Sequence, residues 1–102
     1  MKTVLVVYTK LKEVTDKELK TLARFEKKYA FVAEDLKVGD IIESPDYTSN
    51  MLVVKTLTKV YKYYDSVTGK MSNTFNSTKQ WEIRELILQP KKEEAVYYNK
   101  VN

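Results

Sequence analysis

Val4-Leu5-Val6-Val7-Tyr8 is an unbroken apolar run with no polar residue to mark a solvent face. A surface helix spaces its apolar residues by three and four, and a half-exposed strand alternates them. A continuous β-branched and aromatic run therefore predicts a strand over 3–9 that is buried on both faces. The run is far shorter than the roughly 20 residues of a membrane helix or the 7–15 or so of a signal-peptide core. The expectation is a soluble, cytoplasmic protein with no membrane contact. At 102 residues the chain holds one domain and has no room for two.

The next segment changes period. Thr15-Asp16-Lys17-Glu18 has the form of a capping box, with Val14 before the cap and Leu19 after it placed for a hydrophobic staple. Leu19, Leu22 and Ala23 share one face, so a short helix is expected over 16–25, presenting Lys17, Lys20 and Arg24 to water. Residues 28–33 alternate again and predict a strand paired with the first, making 10–27 a long hairpin connection that carries the helix. Gly39 is one of only two glycines. It is expected at positive φ in a tight turn, with Asp40 opening a strand that runs through Ile41 and Ile42 and stops at Pro45. Residues 51–64 are β-rich with a mixed apolar phase, as where a strand bends or bulges to serve two sides of a barrel. A turn at 65–69 ends on Gly69, 70–80 read as a polar loop or weak strand, and Trp81–Leu88 as the last strand before Pro90. Residues 91–102 are expected to be a mobile tail after a domain spanning 1–90, although Val96-Tyr97-Tyr98 could add to a sheet edge or a partner.

Composition narrows the chemistry. The hydrophobic share of 43% and charged share of 31% suit a packed core rather than disorder. There is no His and no Cys. That excludes cysteine nucleophiles, disulfides, histidine acid/base schemes and most zinc sites. Two glycines leave no glycine-rich phosphate loop. The expectation is a protein that is not an enzyme, with no catalytic residue, cofactor or metal.

Three segments are candidates for binding. Residues 10–28 hold seven basic and four acidic side chains, +3 net within a chain of +4, in an insertion on a rigid scaffold, where binding often resides. Lys17, Lys20 and Arg24 are its candidate contacts. Lys59-Val60-Tyr61-Lys62-Tyr63-Tyr64 interleaves rings with cations. Lys59, Tyr61, Lys62 and Tyr64 could stack bases and neutralise phosphates, Tyr61 and Tyr63 could anchor a protein partner, and the plain reading is tyrosines packed in a barrel. Residues 34–46 are acidic (Glu34, Asp35, Asp40, Glu43 and Asp46 against Lys37). They lack calcium-loop spacing and suit a basic protein surface better than a phosphate track. Asn76-Ser77-Thr78 matches a glycosylation acceptor but has no secretory context.

Five or six short strands and one helix in this length predict a mainly β (α+β) fold, a small antiparallel barrel with the helix inserted between the first two strands. Tyr29-Ala30-Phe31 followed by Asp35-Leu36-Lys37-Val38-Gly39-Asp40 resembles a class of short, mostly uncharacterised proteins encoded by phages and prophages. That resemblance spans roughly 3–9 and 28–60 and implies a small SH3-like barrel with no catalytic residues. This chain departs from the class in its insertion at 10–27 and its polar loop at 65–80. The leading expectation is a non-enzymatic protein-binding module of phage or mobile-element origin. The alternatives are a nucleic-acid-binding barrel and a self-associating structural or virion component.

Overall fold

The computed structural model describes residues 1–44, 48–65, 69–74, 84–86 and 100–101, the stretch 84–86 as backbone alone. β1 (Lys2–Thr9) is an inner strand of a four-stranded antiparallel sheet ordered β2-β1-β4-β3. Its neighbours are β2 (Tyr29–Ala33) and β4 (Asn50–Leu57), and β3 (Ile41–Ile42) lies on the far side of β4. A second antiparallel sheet, ordered β6-β5-β7, is built from β5 (Tyr63–Asp65), β6 (Met71–Ser72) and β7 (Arg84–Leu86).

The unbroken apolar run is explained by this placement. Val4 and Val6 point to one face, where they meet Phe31, Ala33, Leu36, Ile42, Met51 and Val53. Leu5 and Val7 point to the other, Leu5 against Val32 and Tyr64, Val7 against Ile41 and Leu52. All four are buried, and full burial of such a side chain contributes about 1.5–3 kcal/mol.

The helix α1 (Asp16–Phe25) forms where the capping box predicts it. The Thr15 hydroxyl accepts from the Glu18 N–H (3.2 Å), and the Glu18 carboxylate accepts from the Thr15 N–H (3.1 Å). A helix of ten residues is marginal alone. Docking sustains it, because Val14, Leu19 and Leu22 pack over Val7, Ile41 and Leu52. No residue of α1 is fully buried, so its outer surface belongs to water.

Beside the helix, on the same face of the main sheet, Tyr61, Tyr64 and Met71 cover Leu5 and Val32. Val54 packs into both groups. The register explains how: Leu5 faces Lys55 and Val6 faces Val53, so Val54 is an extra residue in β4. Such a bulge bends a strand and raises its twist. The mixed apolar phase of 51–64 thus resolves into a bulged β4, a break at 58–62, and β5 in another sheet.

The turn before β3 adopts the expected geometry. Gly39 has φ +97°, its N–H donates to the Val53 carbonyl (2.9 Å), and Val53 returns a bond to the Asp40 carbonyl (2.9 Å). Gly69 has φ +71° and donates to the Asp65 carbonyl (2.7 Å).

The fold is mainly β with one inserted helix, but the described strands do not close into a barrel. β3 has two residues, and among the described residues only the bridge to Lys100 continues the pairing on its far edge. The break after Leu57 moves the following residues into a separate sheet. Of the segment expected to be a mobile tail, Lys100 and Val101 are described. Lys100 bridges Ile42, the Val101 N–H donates to the Ile41 carbonyl (2.7 Å), and Val101 packs beside Ile41 and Val7. Within Trp81–Leu88, β7 occupies Arg84–Leu86. Pro45, Asn76-Ser77-Thr78, Trp81, Pro90 and Val96-Tyr97-Tyr98 lie outside the described residues.

Candidate partner-binding surface

The helical candidates come together as the sequence spacing demands. Lys17, Lys20 and Arg24 recur at i, i+3 and i+7, which places them in one stripe. All three are exposed. The sheet-facing side of α1 is taken by Leu19 and Leu22, so the stripe points away from the core. The Arg24 guanidinium lies 5.3 Å from the Phe25 ring centroid, a cation–π distance. Phe25 itself is 73% exposed, an unusual state for a ring that size. Among the described residues, none of the three cations forms an ion pair.

The second candidate segment divides. Lys59 and Lys62 are exposed, Tyr61 and Tyr63 are half-buried, and Tyr64 is 3% exposed, packed against Leu5 and Val32. Tyr64 is therefore a core residue and not a surface anchor. Tyr61 also lays part of its ring on that cluster. The segment is held by Thr3, which is fully buried. The Thr3 hydroxyl donates to the Lys59 carbonyl (2.9 Å) and accepts from the Tyr61 N–H (3.2 Å).

These two surfaces do not merge. The segment 59–61 is tied to Thr3 at one end of β1, whereas α1 covers Val7 near the other. Four residues of strand separate them by roughly 13 Å.

In the acidic segment, Asp46 lies outside the described residues, and Asp40, Asp35 and Glu34 have separate roles. The Asp40 carboxylate accepts from the Lys37 N–H (3.0 Å) and pairs with the Lys100 ammonium (3.3 Å). Asp35 occupies a left-handed turn position at φ +56°, a conformation Asp tolerates better than most residues. Glu34 lies 3.8 Å from the Met1 amino group. Among the described residues, no cluster of three or more metal-ligating side chains forms, and no helix is long and apolar enough to cross a membrane.

The sequence reading missed an apolar depression on the flank of α1 beside the cationic stripe. Leu11, Lys17, Glu18, Thr21 and Leu22 line it. Leu11 comes from the irregular connection before the helix, whose path no periodicity reveals. The one available signal was an apolar residue set among charged ones, in Lys10-Leu11-Lys12. Comparison of the chain with protein-family models, curated proteins and solved structures found no match.

Proposed function

We propose that the protein is a non-enzymatic binding module that acts through protein–protein contact, with α1 as the contact element. Carrying this reading is the placement of Lys17, Lys20 and Arg24. They form one exposed stripe, without ion pairs among the described residues, on a helix whose other side is docked on the main sheet. A cationic stripe beside an exposed aromatic ring combines electrostatic steering with desolvatable contact area. The chain's lack of His and Cys supports a binding role over catalysis.

The finer fold reading belongs to the same proposal. The module is a variant of the SH3-like barrel, encoded by a phage or mobile element and acting in the host cytoplasm. The Val38-Gly39-Asp40 turn and the bulge at Val54, which bends β4, support that variant. The nucleic-acid alternative is less favoured, because stacking demands open ring faces. Tyr64 has none and Tyr61 only part of one.

The test is capture from a host lysate on the immobilised protein, beside a triple variant Lys17→Glu, Lys20→Glu, Arg24→Glu. A protein retained by the first and released by the second is the expected outcome. Equal retention by both, or retention of nothing, defeats the proposal. Binding of single-stranded DNA that falls steeply with salt would transfer the reading to the nucleic-acid class.

A further inference from the structure

The depression beside α1 has a volume of about 240 Å3, and its exposed lining is almost wholly apolar, although Lys17, Glu18 and Thr21 contribute to it. Hydrogen bonding explains the contrast. The Thr21 hydroxyl donates to the Lys17 carbonyl (2.9 Å), and the Glu18 carboxylate accepts from the Thr15 N–H (3.1 Å). Both polar ends are turned onto the backbone, which leaves methyl and methylene carbon beside Leu11 and Leu22. Leu11 is 38% exposed. Phe25 lies one turn beyond Thr21 on the same flank. The cationic stripe borders this flank, and Lys17 belongs to both.

We propose that the flank receives an acidic segment of another protein carrying a bulky apolar side chain. The apolar side chain enters between Leu11 and Leu22, and neighbouring carboxylates meet Lys17, Lys20 and Arg24. This rests on the reading of α1 as the contact element and names the chemistry of what it contacts. Charge selects the occupant. A neutral apolar segment leaves the three cations unused, and a nucleic acid meets them through its phosphates but carries no apolar side chain to enter between Leu11 and Leu22. Only an acidic segment with an apolar anchor uses both halves.

The probe is a short fluorescent peptide of Asp and Glu residues around a central Leu-Phe pair, with a matched peptide bearing Ala-Ala as control. Anisotropy measures affinity, and amide NMR shifts locate the site. The Leu-Phe peptide is expected to bind at low salt and to shift Leu11, Lys17, Thr21 and Leu22. Lys17→Glu with Lys20→Glu, Leu11→Ser, and the Ala-Ala peptide are each expected to weaken binding on the order of tenfold. Leu11 lies outside the core clusters, so circular dichroism of the Leu11→Ser variant should match the parent. Any one of four results overturns the proposal: no binding, equal affinity for the two peptides, shifts confined to another surface, or tighter binding of single-stranded DNA or of a second copy. Lysate capture that depends on the cations, without peptide binding, would leave α1 as the contact element and remove only this inference.

Discussion

A hydroxyl shut away from water must find its hydrogen-bond partners within the protein, and Thr3 finds a donor and an acceptor on one passing segment. Thr3→Val keeps the shape but strands the Lys59 carbonyl and the Tyr61 N–H. It is expected to cost about 1–3 kcal/mol in urea unfolding, while Thr3→Ser recovers most of that. Asp40 is a second test. It serves the turn through the Lys37 N–H as well as Lys100, so its two interactions can be separated. Asp40→Ala is expected to cost about 1–3 kcal/mol. Lys100→Ala is expected to cost under about 1 kcal/mol, because its head is half exposed. Equal losses from the two substitutions would show that the ion pair, and not the turn bond, dominates. The turn role of Asp40 was legible in the sequence, whereas its pair with Lys100 was not. Sequence marks Thr3 only as a strand residue, because a hydroxyl's partners more than fifty positions away depend on the finished fold.

Among the elements, α1 was the most legible, because capping box, staple and apolar face are all local signals written within a dozen residues. Its two ends of the energy scale can be measured separately. Thr15→Ala removes the cap and should cost about 1 kcal/mol. Leu19→Ala loosens the docking, and hydrogen exchange should accelerate in 16–25 while β1 and β4 stay protected. The turn before β3 was legible for the same reason. Gly39 stands at φ +97° with open space where a Cβ would go. Gly39→Ala is therefore expected to lose about 1–3 kcal/mol from backbone strain without any clash, read as a lower denaturation midpoint. The stretch 51–64 was legible as β-rich and bent. Its division between two sheets was not, since alternation records which residues share a side but not which neighbour covers it. Tyr63 and Tyr64 show the limit, for adjacent strand residues must face opposite ways, and only the packing of Leu5 and Val32 selects Tyr64 as the buried one.

At the scale of the whole molecule, the described strands form two sheets that do not themselves close into the expected barrel. Short β3 ends the main sheet, and Lys100 and Val101 lie along it. Deleting residues 100–102 removes the Val101 backbone bond, its apolar contact and the Asp40 pair. A loss of about 1–2 kcal/mol is expected, with hydrogen exchange rising first in β3. The depression on the helix flank could not be read in advance, because its two walls come from a coil and a helix that meet only after docking. One last consequence belongs to β1. It is made before either of the strands that flank it, and the farther reaches to residue 57. During synthesis, its five-residue apolar stretch must therefore wait on the ribosome without partners while most of the hairpin insertion emerges. Such distant pairing slows folding and prolongs the interval in which two nascent copies can stick to each other through Val4–Tyr8.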